Sequence, residues 1–350
     1  MVKKDTNKTE KKVFFRPLTL IVLLVLSTII VFYNFDFIMD QIRESHWKSK
    51  RLINLSVSSQ LIRRKVLFLI PLGALVLSMD YLKKQKKITI NKLTVFCVLL
   101  CFTLILLFLK NPLVEKRNAI GPIYITLIFL FYPKLLNTNT KTFVFLFFSL
   151  VVLFPAVSSL THLDASFDEI INKPSLLIKH YQEEGIIKTF STLHYDAFAN
   201  VMGTIDYVSN KGLSYGYQLL SALLFFVPRS LWADKPYSTG ETIGEYLMSQ
   251  YDFNYDNLSN PLASEGYVNF GILGSMFFAI ALALTIVIFI KWLNSNKPLK
   301  RIMAFYFAVH LIFLLRGDFT NGFSYFIGTL IGVLVLPKLI EFFISLSLKK

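Results

Sequence analysis

The chain has 350 residues, 54% of them hydrophobic and only 17% charged, with a mean hydropathy of +0.54. A soluble domain of this size needs a larger charged surface, so a soluble globular protein is excluded. The net charge of +15 does not mark a nucleic-acid binder either: residues 161–265 hold 13 of the 22 acidic residues and only 6 of the 37 Lys and Arg, a net of −7 that leaves +22 elsewhere. The basic residues crowd the ends of apolar runs, as expected where cytoplasmic loops of a membrane protein retain cations.

The N-terminus "MVKKDTNKTEKKVFFRP" is basic and precedes a long apolar run with no small-residue cleavage site, which predicts a retained first span rather than a cleaved signal peptide. Runs of bilayer length predict spans near 18–38, 66–82, 93–109, 120–136, 142–160, 266–290, 300–315 and 323–345. Cys97 and Cys101 lie four apart in one run, so they share a helix face and form neither a disulfide nor a metal site. Between the fifth and sixth spans lies the acidic region 161–265, with an amphipathic stretch at 186–209 and an apolar one, "YGYQLLSALLFFV", at 215–227. The chain divides into N-terminal spans (1–160), this outer region (161–265) and C-terminal spans (266–350). No internal repeat is visible.

Orientation follows from the loops. Lys3, Lys4, Lys8, Lys11, Lys12 and Arg16 place the N-terminus inside. "YLKKQKK" (81–87), Lys134 with Lys141, "KWLNSNKPLKR" (291–301) and Lys349 with Lys350 then fall inside as well, and 161–265 falls outside. The 215–227 stretch must either re-enter and return, with a re-entrant segment near 213–228, or cross together with 186–209. A re-entrant turn requires a cavity, because irregular backbone at membrane depth needs polar partners. The loop 40–65, with Arg43, Lys48, Lys50, Arg51, Arg63, Arg64 and Lys65, breaks the rule by falling outside.

Four outer-face stretches carry candidate chemistry. In "VPRSLWADKP" (227–236), Arg229 offers a planar fork to phosphate oxygens and Lys235 a point charge. The same residues also fit an interfacial anchor, with Arg229 snorkelling and Lys235 paired to Asp234. "NPLVEKRNAIGPIY" (111–124) sets Arg117 before a span, and "LLRGDFTNGF" (314–323) sets Arg316 and Asp318 in the last outer turn. "ASEGYVNFGILGS" (263–275) sets Glu265 at the start of a span, with Gly266, Gly271 and Gly274 allowing close helix approach. Trp232, Tyr237, Tyr246, Tyr251, Phe253 and Tyr255, with Asn254, Asn257 and Asn260, suit sugars and equally suit a membrane interface. Nothing assigns a role to His162, His180 or His194. No metal-ligand spacing, phosphate-binding glycine loop or nucleophile elbow occurs, so neither metal nor cofactor is expected.

The string "YGYQLLSALLFFVPRSLWADKP", followed by "ASEGYVNFGILGS" and "LLRGDF", resembles the oligosaccharide repeat-unit polymerases of the Wzy type, integral membrane proteins of bacterial O-antigen and capsule assembly. The likeness covers about residues 110–345 and is sharpest at 213–275. It implies an all-α polytopic protein of the bacterial cytoplasmic (inner) membrane, with about 9–11 transmembrane helices and one long outer-face loop region. The implied reaction transfers a growing glycan from undecaprenyl pyrophosphate to the sugar end of an incoming lipid-linked repeat unit. Arg117, Arg229, Lys235 and Arg316 are then the pyrophosphate binders. Glu265 or Asp234, and more weakly Asp318, is the base, while Trp232, Tyr237, Asn269 and Asp318 are substrate contacts. A chain-length regulator and a flippase are the implied partners. A polysaccharide ligase, a lipid-linked oligosaccharide flippase or transporter, and a non-catalytic scaffold are the rival readings. The missing repeat and the few charges within spans weigh against a transporter.

Overall fold

The computed structural model describes residues 15–43, 59, 62–63, 68–85, 87–110, 117–136, 138–149, 169, 172–173, 175, 197–253 and 258–348. Every regular element among them is helical, and the chain is an all-α polytopic membrane protein. Four helical stretches are long and apolar enough to cross a bilayer: Ile90–Leu109, Leu262–Leu293, Pro298–Arg316 and Phe319–Ser347. Pro17–Tyr33 and Gly121–Phe131 are shorter apolar helices.

The expected span 18–38 is two helices, α1 (Pro17–Tyr33) and α2 (Phe35–Arg43). Asn34 leaves helical geometry at φ −108° and its side-chain amide donates to the Ile30 carbonyl at 2.8 Å, which ends α1. Beyond it, Asp36 and Asp40 give α2 a polar face while Phe37 and Ile38 are buried. Of the anomalous basic loop, most lies outside the described residues; Arg63 rests 5.7 Å from the centre of the Phe37 ring.

Helix α3 (Leu69–Lys84) is the centre of the core. Its residues from Leu69 to Ser78 are all buried, which accounts for a run that is apolar all round. It packs on α1, on α4 (Ile90–Leu109), on α11 (Pro298–Arg316) and on the π-helical segment Leu330–Val335. At the last of these contacts a Cβ on Gly73 would lie 2.8 Å from Val333 Cα, so only glycine lets the two backbones meet. Helix α4 buries Val95, Leu99, Phe102 and Leu106 along one face and exposes Leu93, Phe96, Leu100 and Leu104 along another. Cys97 and Cys101 lie on exposed positions of α4, as their spacing requires.

Helix α5 (Arg117–Phe131) runs antiparallel to α11: Phe129 stacks on Phe305 at 4.1 Å, and Ile125 clusters with Val309. Continuing this register brings Arg117 to the level of Arg316 at the end of α11. A 3₁₀ turn (Pro133–Leu136) leads to α6 (Asn139–Phe148), and the remainder of the expected span to 160 lies outside the described residues. The basic ends gather as the loop charges predict. The Arg16 backbone N–H donates to Glu341 at 3.1 Å, with the guanidinium 3.6 Å from the same carboxylate, and Lys83 Nζ donates to the Leu130 carbonyl at 3.1 Å.

The region 161–265 contributes α7 (Ala197–Lys211), α8 (Tyr217–Leu223) and α9 (Thr239–Tyr251). Seven residues make α8 about 10 Å long, too short to cross a membrane. The alternative of a crossing shared with 186–209 involves residues 186–196, which lie outside the described residues. The polypeptide reverses through residues 224–238 and lies against α8, the Tyr217 hydroxyl donating to the Asp234 carbonyl at 2.7 Å and Ser221 to the Pro236 carbonyl at 2.9 Å.

The expected span 266–290 is α10 (Leu262–Leu293), and it is not straight. Phe270 and Gly271 leave helical geometry, Gly271 at φ +64°, ψ −147°, a conformation essentially reserved for glycine. In a continuous helix, residues eight apart are about 12 Å apart. Here a Cβ on Gly266 would sit 2.4 Å from the Gly274 carbonyl oxygen. Ser275 Oγ also donates to the Ala263 carbonyl at 2.8 Å. The short helix 262–269 is therefore folded back on the start of the apolar helix 272–293. Of the three glycines singled out, Gly266 and Gly274 do allow close approach, but of one helix upon itself, while Gly271 supplies the turn between them. Helix α12 (Phe319–Thr329) runs through the π segment into α13 (Leu336–Ser347).

Candidate functional site

The turn after α8 holds Arg229, Trp232, Asp234, Lys235 and Tyr237 within one reversal. The Pro228 carbonyl accepts from Leu231 N at 3.0 Å and Trp232 N at 3.2 Å, and the Trp232 carbonyl accepts from Lys235 N at 3.2 Å. Proline sets the first corner because it fixes φ and brings no donor of its own.

The two cations of this turn are used differently. Lys235 Nζ donates to the carbonyls of Leu224 at 2.9 Å, Phe225 at 3.3 Å and Val227 at 2.9 Å. These three bonds take every proton of the ammonium; the Leu224 carbonyl also accepts from Val227 N at 3.0 Å, while Lys235 supplies the donor for the Phe225 and Val227 carbonyls beyond the end of α8. Partial burial and then the Arg229 charge hold the Lys235 ammonium below the usual lysine range. Lys235 does not pair with Asp234, and its sequence-based role as a ligand cation would require giving up these bonds.

Arg229 is half-buried, with its guanidinium carbon 4.0 Å from the centre of the Tyr237 ring and Nη1 donating to the Lys235 carbonyl. Its other four N–H groups have no protein partner among the described residues. The ring face attracts the guanidinium charge and helps hold it over Tyr237. Trp232 is oriented by Tyr217, with Nε1 3.3 Å from the phenol oxygen and the two rings edge to face at 5.8 Å. The Asp234 side chain is exposed and has no partner among the described residues. Among the described residues, the turn thus presents a guanidinium with open donors and a carboxylate with no partner.

A second cluster lies beneath it. Glu265 is 3% exposed. Its Oε2 accepts from Thr239 Oγ1 at 2.5 Å and its Oε1 from the Phe319 backbone N–H at 3.0 Å. Those donors stand at the first residues of α9 and α12, so two helix N-termini face one carboxylate. Asp318 caps α12, accepting from Thr320 N and Asn321 Nδ2, each at 2.9 Å. Arg316, half-buried, ends α11 two residues earlier. Asn269 is fully buried. Its Oδ1 accepts from Ser214 Oγ at 2.9 Å and Leu219 N at 3.1 Å, and its Nδ2 donates to the Glu265 carbonyl at 2.7 Å. The substrate contact expected of Asn269 is replaced by bonds inside the protein. Arg117 begins α5, and its side chain lies outside the described residues.

The structure therefore joins the Arg229 turn, Glu265 and the Arg316–Asp318 turn through Tyr237, Thr239 and Phe319. Thr239 was not singled out from sequence, although "STGE" (238–241) has capping-box spacing and Ser238 does cap α9, accepting from Glu241 N at 3.4 Å. Further out, Asp206 of α7 accepts from Tyr246 at 2.7 Å and Tyr251 at 2.8 Å. The Tyr246 hydrogen bond, more than any other contact, holds the Asp206 carboxyl below its ordinary range, and the same bond pushes Tyr246 up to about 12. His162, His180, His194, Asn254, Tyr255 and Asn257 lie outside the described residues.

No protein-family model matches the chain, and no characterised protein or solved structure matches it.

Proposed function

We propose that the protein is a polymerase of lipid-linked oligosaccharide repeat units, acting on the outer face of the bacterial cytoplasmic membrane. The observation that carries this reading is Arg229: a guanidinium set over the Tyr237 ring with its carbon 4.0 Å from the ring centre, and four N–H donors open among the described residues. A fork of this kind fits the paired oxygens of a phosphate or pyrophosphate. The stretch containing it also carries the resemblance to the polymerases.

In this reading an acceptor sugar hydroxyl attacks the anomeric carbon of the donor glycan. The new C–O bond forms as the bond from that carbon to the undecaprenyl pyrophosphate breaks, and the pyrophosphate leaves with both bonding electrons. Arg229 stabilises the charge developing on the leaving group, which a fixed cation does best in a poorly hydrated site. Arg316, half-buried at the end of α11, is read as a further cation for the pyrophosphate, and Arg117 as another. Asp234 takes the acceptor proton, its carboxylate being exposed and uncommitted. Trp232 and the open face of Tyr237 contact sugar. Lys235 and Asn269 shape the turn.

The test is glycan length in cells carrying Arg229→Ala, read on a gel beside wild type and a deletion strain at matched protein level. Single repeat units without a ladder are expected. An unchanged ladder would return Arg229 to an interfacial anchor, and loss of the single exported unit in the deletion strain would make the protein a flippase.

A further inference from the structure

The Arg229 turn is held at both ends by the short helix 262–269. Asn269 Oδ1 accepts from Leu219 N in the first turn of α8, just before the loop that carries Arg229. Glu265 Oε2 accepts from Thr239 at the first residue of α9, just after it. The two side chains sit one helical turn apart and are linked, Asn269 Nδ2 donating to the Glu265 carbonyl at 2.7 Å. Glu265 Oε1 also fixes Phe319, which starts the helix beyond Arg316. Asn269 immediately precedes the reversal at Phe270–Gly271, so the register of all these bonds is set by the fold-back.

We propose that Glu265 and Asn269 are positioning residues that clamp the Arg229 turn against the Arg316–Asp318 turn, and that Glu265 takes no part in proton transfer. The inference rests on the reading of Arg229 as the pyrophosphate-facing group. Both oxygens of Glu265 are occupied, and the side chain is buried beneath the rim. To reach an acceptor hydroxyl it would have to release Thr239 or Phe319, which would free the turn it holds. A carboxylate is not required for the clamp. In Glu265→Gln, the amide oxygen still accepts from Phe319 N–H, and the amide nitrogen donates to Thr239 Oγ1, a hydroxyl with lone pairs to spare.

The experiment uses the full chain in native membranes, with Cys97 and Cys101 changed to Ser and the buried Ala222 of α8 changed to Cys. Two quantities are read: the rate of labelling of position 222 by a membrane-impermeant maleimide, and the glycan ladder with its pH profile. Glu265→Gln is expected to label within about twofold of its parent and to keep both the ladder and the pH profile. Glu265→Ala and Asn269→Ala are expected to label about fivefold faster or more, and to shorten the ladder. Thr239→Val, which removes one donor and keeps the volume, is expected to do the same if the alanine variants do not insert. A Glu265→Gln variant with normal labelling and no ladder would overturn the inference and make Glu265 the base. Unchanged labelling in Glu265→Ala or Thr239→Val would overturn the clamp. A deletion strain that retains its ladder would refute the polymerase reading alone, and the labelling rates would still decide the clamp.

Discussion

Replacing Lys235 with Met separates a cation that holds the fold from one that holds a ligand. Met keeps most of the aliphatic stem and removes the ammonium, leaving the carbonyls of Leu224, Phe225 and Val227 without their shared donor. Hydrogen bonds to a charged group contribute about 1.5–3 kcal/mol each. Three would give about 5–9 kcal/mol in full burial, but Lys235 is only half-buried and the freed carbonyls regain water. A net local loss of about 2–3 kcal/mol follows. Amide hydrogen exchange over residues 228–238 then accelerates about 30–150-fold at Leu231, Trp232 and Lys235, whose N–H groups close the turn. Lys235→Arg recovers less than half of the protection, because a planar fork cannot aim three N–H groups at three carbonyls that converge on one point. Exchange–mass spectrometry on detergent-purified protein measures both. Unchanged exchange in Lys235→Met, with weakened binding of a soluble prenyl pyrophosphate, would refute the reasoning and turn Lys235 outward.

Gly274→Ala places a Cβ 2.0 Å from the Gly266 carbonyl oxygen, and both sides of that contact are backbone, so nothing flexible can yield. A loss of about 3 kcal/mol or more is expected, seen as a lowered melting temperature and protein level. Arg229→Lys is expected not to restore the ladder lost in Arg229→Ala, since lysine lacks the planar fork that Arg229 sets over Tyr237, and both variants melt like wild type. The Asp206 cluster predicts a stability window. The folded pKa of Asp206 is depressed, so its contribution is present above the ordinary value near 3.8 and is lost as pH falls through the folded value. Tyr246 is raised to about 12 from 10.0, so its contribution is full below 10 and lost as pH rises through about 12. NMR of ring-labelled tyrosine should show Tyr246 titrating near 12 and moving back toward 10 in Asp206→Asn; a Tyr246 that titrates near 10 in the wild type would refute the contact.

Composition and hydrophobic patterning alone determine that this chain is an all-α membrane protein. A run such as Ile90–Leu109 can satisfy its backbone in lipid only as a helix. Loop charges led to the expectation that the Arg229, Glu265 and Arg316–Asp318 stretches share one face, and in the fold the contacts of Glu265 with Thr239 and Phe319 join those stretches. The spacing of Gly266, Gly271 and Gly274 pointed to close approach. Tertiary structure decided the rest. A window of apolar residues does not reveal that Asn34 ends a helix, that α8 stops after seven residues, or that Gly271 turns the chain back, since each depends on a partner or a dihedral rather than on hydrophobicity. Nor does it reveal what a polar side chain binds. Arg229 and Lys235 look alike in "VPRSLWADKP", and Glu265 looks as available as Asp234. Only the folded chain shows that Lys235 is spent on three carbonyls and Glu265 on two helix N-termini, while Arg229 and Asp234 keep polar groups free among the described residues, because a hydrogen bond is a matter of distance between residues that sequence separates.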